Sequence, residues 1–356
     1  MPQSNIAEVA VLIVCFNGRN FLADCLKSVS ESDDAGLVRH IIVIDNASTD
    51  DSADLLRNEY PQIELLSLGE NRGFAAANNA GWEYARDKYP NLQYLAILNH
   101  DTIVQSGWLT QLTDHLQHFP TVAAAQPKIL LWPQKNLFNT TGNQSHYLGF
   151  GMVSAYGQID DGSRDQIHPI DFPSGAALVV RVDVIKQVGL FDDLFFLYLE
   201  DADLGWKLRQ TGWQIDYVPT SVIWHKYTFQ RDYQYYFYLE RNRWILLGTY
   251  YKTLTLLVLM PMAIAMEIGQ LFFAWRKKIL GQKFRAWLFF AKPANLAYLL
   301  RRRRQARNRR RISDRLFTQN FIAQIEFPEI KSRTLYAIGN PLLKFYWRIA
   351  RRLIIW

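Results

Sequence analysis

The sequence has few cysteines, with only Cys15 and Cys25 among 356 residues. Two cysteines, one in an apolar segment and one in the segment after it, form neither a disulfide framework nor the paired cysteines of a zinc site. Both are expected to pack in the core of a protein from a reducing compartment. The first eight residues lack a basic stretch followed by an apolar core, which predicts a cytosolic catalytic region rather than a secreted one.

Two common phosphate-binding motifs are also absent. Neither G-x-x-x-x-G-K-[ST] nor G-x-G-x-x-G follows an apolar segment, which disfavours P-loop ATPases and dinucleotide-dependent enzymes. Residues 9–18 also lack the Gly-rich loop with a basic residue that is typical of sugar nucleotidyltransferases. A nucleoside diphosphate bound without such loops needs a divalent cation, so Mg²⁺ or Mn²⁺ is the expected cofactor.

Positive charge is concentrated in one segment of the chain. Of the 40 Lys and Arg, 14 lie within 276–313, where no acid occurs, and the other 26 are outnumbered by 33 acids. This segment contains Trp287 and follows an apolar run, a combination typical of an anionic membrane surface. Nucleic acid is the alternative partner for Arg301–Arg311. The absence of interleaved aromatic residues in that run predicts no nucleic-acid binding.

No apolar run reaches the roughly 20 residues of a membrane-spanning helix without including a charge. The longest, Thr253–Met266, contains Pro261 and is flanked by Lys252 and Glu267. An interfacial or hairpin arrangement fits this length at least as well as a span. Residues 246–356 are therefore predicted to form a helical membrane-associating region, peripheral or monotopic, with a single transmembrane segment as the alternative.

Short apolar segments alternate with helical patterns up to about residue 131. The predicted strands are Val9–Cys15, His40–Ile44, Ile63–Leu68 and Tyr94–Leu98. The predicted helices are Phe21–Val29, Asp51–Tyr60, Phe74–Lys88 and Gly107–Phe119. Apolar strands separated by helices predict an α/β fold with a mostly parallel sheet covered on both faces, whose ligands bind beyond the carboxyl ends of the strands.

The second part of this α/β region is less regular. Residues 132–166 have no clear period and are rich in Gly, Asn, Gln and Ser, which predicts a long loop or short irregular strands. Further strands are predicted at Phe172–Val180 and Ile215–Val218. The predicted catalytic domain is 1–245, with a donor-binding half to about 131 and an acceptor-binding, catalytic half from about 132.

Turn-forming and polar residues follow each of the first four predicted strands, at Phe16–Gly18, Asp45–Ser48, Glu70–Gly73 and Asn99–Asp101. Each alone is an ordinary turn sequence, but four at the ends of parallel strands predict one polar rim. Asp101 offers hard oxygen ligands to the expected cation. His225, at the end of a later strand, is a candidate second metal ligand, although a lone histidine is more often a packed or surface residue.

The segment Leu197–Gly212 places Glu200, Asp201 and Asp203 at the start of an amphipathic helix. Capping of the helix explains one of these acids, but it does not explain three. An enzyme that deprotonates a hydroxyl group needs a carboxylate held rigidly within hydrogen-bond reach. Asp201 is therefore a candidate catalytic base with Glu200 beside it, and helix capping is the alternative.

Six motifs resemble, in order, those of family 2 inverting glycosyltransferases with a GT-A fold: Val14–Gly18, Ile41–Asp50, Glu70–Gly81, Leu98–Thr102, Phe172–Ala176 and Leu199–Asp203. The resemblance spans roughly 9–245 and implies a Rossmann-like mixed sheet and a nucleotide-sugar donor. The donor-binding residues that it implies are Cys15, Phe16, Asn17, Asp45, Asn46, Asn71, Arg72, Asn78 and Asn99.

The resemblance also implies roles for the acids. Asp101 falls in the metal-binding Asp-x-Asp motif, whose first acid is replaced here by Asn99. An amide oxygen still binds a cation but lowers the negative charge that faces it. Asp201 takes the role of base in a single-displacement, inverting transfer, and His225 that of a metal or diphosphate contact.

The acceptor side is predicted from small and basic residues. Ser174 and Gly175 let a sugar approach the backbone, although a tight structural turn explains them almost equally well. Arg241 and Arg243 are candidates to contact the diphosphate of a polyprenyl-linked saccharide, with a surface ion pair to Glu240 or other acids as the alternative.

The motif Asn71–Ala75, together with the basic and aromatic C-terminal region, most resembles bacterial rhamnosyltransferases of surface polysaccharide synthesis such as O-antigen. This implies dTDP-rhamnose as donor, with UDP-hexoses or UDP-galactofuranose as alternatives. It also implies a location at the cytoplasmic face of the bacterial inner membrane.

Overall fold

The computed structural model describes residues 6–227, 233–326 and 333–356. Packing divides the chain into two compact units, each assembled from segments that are far apart in sequence. Unit one contains the described residues of 6–143, 153–196 and 214–227. Unit two contains those of 144–152, 197–213, 233–326 and 333–356. The predicted domain boundary at 245 stays a prediction.

Unit one is built around a mixed β-sheet. The strands of the described chain are β1 Ala7–Cys15, β2 Leu37–Asp45, β3 Glu64–Ser67, β4 Tyr94–Asn99, β5 Thr102–Val104, β6 Val122–Leu131, β7 Phe138–Thr140, β8 Asn143–Ser145, β9 Gly151–Val153, β10 His168–Pro169, β11 Ala177–Arg181 and β12 Gln214–His225. The sheet has the order β10-β12-β6-β11-β4-β1-β2-β3, with β5 beside β12 and β7 beside β6, while β8 pairs with β9 alone.

The carboxyl ends of the first four strands meet at one edge of the sheet. Strands β3, β2, β1 and β4 are parallel, and the register places Cys15 beside Asp45, Asp45 beside Ser67, and Val14 beside Asn99. Strand β11 is antiparallel to both β4 and β6, and β12 is parallel to β6. This edge is the polar rim that the sequence predicts, and the mixed, mostly parallel sheet is confirmed.

Helices cover both faces of the sheet. The helices of unit one are α1 Arg19–Glu31, α2 Ser52–Glu59, α3 Gly73–Lys88, α4 Trp108–His118 and α5 Val182–Val188. Val11 and Ile13 of β1 are buried in one cluster with Leu26 of α1 and Leu112 of α4. The alternate face of β1 meets α3, where a Cβ on Gly81 would lie 3.3 Å from the side chain of Leu12, so a small residue permits close packing of helix and strand.

Residues 132–166 contain the short strands β7, β8 and β9, and β10 follows at His168–Pro169. Of the two alternatives for residues 132–166, short irregular strands are therefore observed. The Gly- and Asn-rich composition does not reveal this pairing, because each of these strands has only two or three residues.

Unit two is mainly helical. Its helices are α6 Glu200–Gln210, α7 Tyr236–Tyr250, α8 Thr253–Arg276, α9 Leu280–Ala291, α10 Pro293–Arg309, α11 Asp314–Phe317 and α12 Asn340–Leu353. Helix α8 continues through Pro261 and past Met266, so it is longer than the apolar run in the sequence suggests. Within the described chain it alone is long and apolar enough to cross a membrane. Of its most apolar stretch of 18 residues, 17% is buried.

A buried ion-pair network joins α7, α8 and α9 inside unit two. The Arg243 guanidinium contacts Glu240 on its own helix and Glu267 on α8, and the Lys283 ammonium of α9 contacts both acids. Burial raises the pKa of the Glu240 carboxyl, but the charges of Arg243 and Lys283 outweigh burial and hold that pKa below its ordinary value. Arg243 and Lys283 thus compensate the charge of Glu267, the acid that ends the apolar run in the sequence.

Candidate active site

The turns after β1 and β2 are tied together by side-chain hydrogen bonds. Asn17 adopts a positive φ of 51°, and its Oδ1 accepts from the Thr49 amide at 2.8 Å. The Asp45 carboxylate accepts from the Ser48 amide at 3.1 Å. Phe16 is 42% exposed between these turns, so an aromatic face is available beside a fixed polar edge.

Asn46 fixes the turn after β3. Its Oδ1 accepts from the Arg72 amide at 2.9 Å, and its Nδ2 donates to Oδ1 of Asn71 at 3.0 Å. Gly73 has φ +77°, and a Cβ there would lie 2.5 Å from the carbonyl oxygen of Phe196, so only glycine fits. The side chain of Asn46 is buried and shapes the loop, while the Arg72 side chain is about half exposed.

Three other predicted donor residues lie at or behind the rim. Cys15 is buried, and burial raises the pKa of its thiol. Asn78 is fully buried and donates to the Phe74 carbonyl at 2.9 Å, while its Oδ1 has no hydrogen-bond partner in the described part of the chain. Asn99 ends β4, and its carbonyl accepts from the Thr102 hydroxyl at 2.7 Å. Direct donor contact by these residues stays a prediction.

Asp101 and His225 lie together at the rim, although 124 positions separate them in the chain. Strand β5 brings them together, because its Thr102 pairs with His225. Nε2 of His225 is 3.1 Å from Oδ1 of Asp101, and Nδ1 is 3.3 Å from Oδ1 of Asn139. Burial raises the pKa of Asp101, but the charge and hydrogen bond of His225 outweigh burial and leave that pKa lowered.

This pair fits a divalent cation. When Nδ1 of His225 donates to Asn139, its Nε2 lone pair faces the Asp101 carboxylate, so a proton or a metal ion must separate two acceptors. Two octahedral ligands at roughly 2.1 Å from a Mg²⁺ ion and at right angles are about 3 Å apart, close to the 3.1 Å separation here. Asn139, which the sequence did not single out, is the kind of outer partner that metal-bound histidines use.

The protein supplies only part of such a coordination shell. Between residues 6 and 227, 233 and 326, and 333 and 356, no group of three or more His, Cys, Asp or Glu could hold a metal ion. Mg²⁺ in nucleotide enzymes is commonly held by one or two carboxylates together with water and substrate phosphates. The pair of Asp101 and His225 therefore suits a cation that arrives with a nucleotide diphosphate.

Ser174 and Gly175 lie in the turn before β11. The Ser174 amide donates to Oε1 of the fully buried Gln126 at 2.7 Å, and its hydroxyl accepts from the Ala176 amide at 3.3 Å. These contacts support the structural alternative for Ser174, because both its amide and its hydroxyl serve the turn. Its contact with an acceptor, like that of Gly175, stays a prediction.

The acids of α6 in unit two differ in their surroundings. Glu200 is buried, and its Oε2 has no hydrogen-bond partner among the residues that the structure describes. Burial raises the pKa of Glu200 well above its ordinary value, and the charges of Asp201 and Asp203 raise it further. Asp201 is partly exposed, and its Oδ1 accepts from the Ala202 amide at 2.7 Å.

Asp203 has a structural environment. It is fully buried, and its Oδ1 accepts from the Tyr250 hydroxyl at 2.9 Å and from the Arg302 guanidinium. A buried carboxylate paired in this way joins α6 to α7 and α10. The N-cap residue of α6 is Leu199, so none of the three acids occupies the capping position that the alternative assigns to one of them.

The two predicted acceptor arginines are both buried on α7. Arg241 donates through Nε and Nη2 to Oδ1 of Asn242, at 3.0 and 2.8 Å. Arg243 is 1% exposed and belongs to the network with Glu240 and Glu267. Its ion pair with Glu240 is thus present, but in the core rather than at the surface. We therefore assign no acceptor contact to Arg243.

The fold is shared with a solved glycosyltransferase structure. The crystal structure of GalNAc-T7 with UDP, GalNAc and Mn²⁺ superposes with a TM-score of 0.55 at 15% sequence identity, covering 70% of this chain and 49% of that one. At this identity the likeness supports the fold alone. It defines the class of the sheet and its helices as GT-A-like.

Two family models match the chain. The model described as "Glycosyl transferase family 2" matches residues 10–156, and "Glycosyl transferase family group 2" matches residues 94–301, which is more than half of the chain. The protein belongs to the family 2 glycosyltransferases. The resemblance drawn from the six motifs is confirmed.

Relatives in this family carry different names. The N-acetylglucosaminyl-diphospho-decaprenol L-rhamnosyltransferase of Mycobacterium tuberculosis is 26% identical over 208 residues, 52% of this chain and 66% of the relative. The poly-beta-1,6-N-acetyl-D-glucosamine synthase of Staphylococcus aureus is 25% identical over 233 residues, 63% of this chain and 52% of the relative. The chain thus spans less than two thirds of the length of either protein.

Proposed function

We propose that the protein transfers a sugar from a nucleotide diphosphate donor to a saccharide on a polyprenyl diphosphate, with inversion at the anomeric carbon. The observation that carries this proposal is the pair of Asp101 and His225 at the rim of a GT-A-like sheet, because it suits a cation bound with a diphosphate. Rhamnose from dTDP-rhamnose is the first candidate. The rhamnosyltransferase name of a relative and the Asn-Arg-Gly-Phe-Ala motif support it.

The donor is held by the rim of unit one. The turns at Asp45 and Asn71–Arg72 bind the base and ribose, and the exposed Phe16 lies beside them. Asp101 and His225 would hold the cation, which would neutralise the charge of the leaving diphosphate. The resemblance implies an acid at position 99, where Asn99 offers a neutral oxygen, so the cation site would have a lower negative charge.

Asp201 is the base in this proposal. Burial raises the pKa of the Glu200 carboxyl well above its ordinary value, whereas the Asp201 carboxylate is partly exposed, which favours Asp201 as the group that receives the proton. Its partly exposed carboxylate removes the proton of the acceptor hydroxyl as that oxygen attacks the anomeric carbon. A single attack opposite the leaving diphosphate inverts the configuration and requires no protein nucleophile.

A donor panel tests the choice of sugar. We expect dTDP-rhamnose with Mn²⁺ to raise the thermal midpoint more than UDP-glucose, UDP-N-acetylglucosamine or UDP-galactofuranose at the same concentration. The ligand with the lowest Kd stabilises the protein most, by about 2.7 kcal/mol when its concentration is 100 times its Kd. A larger shift with a UDP sugar, followed by transfer of that sugar, would replace rhamnose. The name of the staphylococcal relative makes an N-acetylhexosamine the second candidate.

We infer further that unit two docks on an anionic membrane at the cytoplasmic face of the bacterial inner membrane. Helix α8 exposes a row of apolar side chains, each 55–64% exposed: Leu257, Ile264, Ile268, Phe272 and Trp275. Helix α12 buries Leu343, Trp347 and Ala350 and exposes a second apolar row, Leu342, Phe345, Ile349 and Leu353. Apolar rows of this kind beside basic residues bind the interface of anionic lipids.

The interfacial arrangement is favoured over a span. Glu267, in the middle of α8, pairs with Arg243 and Lys283, so one side of this helix is attached to the rest of unit two. A helix that is bound along one side and apolar on the other can lie in the membrane interface. The decaprenol in the name of a relative supports an acceptor presented there.

A vesicle sedimentation experiment tests the docking. Replacing Ile268 and Phe272 by Glu should weaken binding to phosphatidylglycerol vesicles at least about tenfold, because each buried apolar side chain contributes roughly 1.5–3 kcal/mol. Ile159→Glu is the matched control, since Ile159 in unit one is 64% exposed, as is Ile268. Equal binding by the double variant and the control would contradict the docking surface.

A further inference from the structure

The backbone just before α6 has a conformation that residues other than glycine rarely adopt. Tyr198 and Leu199 have φ values of 68° and 66°, and Leu199 caps the helix without a side-chain hydrogen bond. Such strain persists only where surrounding contacts hold it. Glu200 and Asp201 follow directly, so the direction of the Asp201 carboxylate depends on this turn.

Asn242 on α7 makes two hydrogen bonds to the backbone of this turn. Its side chain is fully buried, and Nδ2 donates to the carbonyl oxygens of Leu197 and Tyr198 at 3.1 and 2.7 Å. One amide group therefore binds the two carbonyls that flank Tyr198. Both hydrogen bonds are made to backbone atoms. Loss of Asn242 would therefore change the backbone conformation of the turn rather than the position of a single side chain.

Arg241 fixes the orientation of this amide. Its Nε and Nη2 donate to Oδ1 of Asn242, and because a guanidinium only donates, Oδ1 must face Arg241 and Nδ2 must face the turn. The guanidinium itself lies over the rings of Phe237, Tyr238 and Phe289, 5.0–5.3 Å from their centres. The contacts of Arg241 therefore determine that the amide nitrogen of Asn242, and not its oxygen, faces the turn.

We propose that Asn242 is a positioning residue for Asp201, holding the left-handed turn 197–199 so that α6 begins with this carboxylate aimed at the acceptor hydroxyl. The inference rests on the proposed function, in which Asp201 is the base. Asn242 itself touches neither sugar. Its loss should therefore lower kcat and leave the KM for the nucleotide sugar unchanged.

The test compares Asn242→Ala and Asn242→Asp with the wild-type protein in transfer from dTDP-rhamnose, or from the donor that the panel identifies. Asn242→Asp keeps the size of the side chain and the oxygen that accepts from Arg241. It replaces the amide nitrogen, a hydrogen-bond donor, by an oxygen that faces two carbonyl oxygens. We expect kcat to fall about 10–100-fold in both variants, the cost of misplacing a reacting group by about 1 Å, with donor KM within about twofold. Asn79→Ala is the matched control, because Asn79 makes similar amide-to-backbone bonds to Phe191 in unit one.

A glycine rescue separates positioning from general loss of stability. Glycine adopts a positive φ without strain, so Tyr198→Gly in the Asn242→Ala background should recover at least about half of the lost kcat on a logarithmic scale. Thermal midpoints of all variants are recorded in parallel. If the loss of kcat is proportional to the loss of thermal midpoint across the variants, and Tyr198→Gly does not restore kcat, the inference is overturned.

Asp201→Asn, assayed beside these variants, distinguishes the two claims. If that variant keeps wild-type transfer, the proposed base is wrong and the inference fails with it. If it loses transfer while Asn242→Ala keeps wild-type kcat, the base stands and the positioning role alone is wrong. Loss in both, with the glycine rescue, supports both.

Discussion

Asp201→Asn should bind the nucleotide sugar as the wild type does and lose nearly all transfer. The amide keeps the size of the side chain and can still accept from the Ala202 amide, but it does not take a proton from the acceptor hydroxyl. A positioned general base contributes roughly 10²–10⁴-fold, so we expect kcat to fall by about that factor. Donor affinity is measured by calorimetry and kcat with a lipid-linked acceptor.

Asp183→Asn is the control for this change. Asp183 lies at the start of α5 in unit one, and its Oδ1 accepts from the next amide, Val184, at 2.9 Å, just as the Asp201 carboxylate accepts from Ala202. Loss of a helix-start carboxylate alone costs about 0.3–1 kcal/mol of stability. If both variants lose the same small amount of activity, Asp201 only stabilises the start of its helix and is not the base.

Asp101→Ala should remove the effect of the divalent cation on donor binding. The variant loses the oxygen ligand and leaves His225 alone at the rim, and loss of even an outer partner typically costs 10–100-fold in metal affinity. We therefore expect Mn²⁺ to improve donor affinity in the wild type and to have little effect in the variant. The affinity of the variant for Mn²⁺ should be about 10–100-fold lower. Calorimetric titrations with and without Mn²⁺ measure this without any need for turnover.

Asp87→Ala is the control, because its carboxylate on α3 is 72% exposed and pairs with Arg86. Equal Mn²⁺ dependence in the wild type, Asp101→Ala and the control would place the cation elsewhere. Loss of donor affinity in the absence of Mn²⁺ as well would show that Asp101 contacts the donor directly.

The first four strands and the polar rim can be predicted because they depend on local patterns. Apolar runs ending in turn residues are visible in the sequence, and parallel pairing places their ends together, as the register of Cys15 and Asp45 illustrates. Asp101 and His225 also end or follow strands at this edge, but the antiparallel pairing of β12 with β5, a three-residue strand that the sequence patterns do not predict, brings them into contact. Chemistry at the carboxyl ends of strands is thus accessible from sequence alone.

Contacts made through helix faces could not be predicted in this way. Charged residues of α7 suggest a solvated surface, yet Arg243 is buried because Glu267 and Lys283 approach from two later helices. The hydrogen bonds of Asn242 span 44 and 45 positions to backbone carbonyls. No local pattern in the sequence indicates which backbone a buried amide will bind, so this residue could be found only in the structure.

The central claim is that one displacement by the acceptor oxygen, assisted by a carboxylate base, transfers the sugar. Nuclear magnetic resonance of the product formed from a donor of defined anomeric configuration tests it most directly. We expect the glycosidic bond to have the configuration opposite to that of the nucleotide sugar. A product with retained configuration would require a different mechanism and would contradict the role of Asp201.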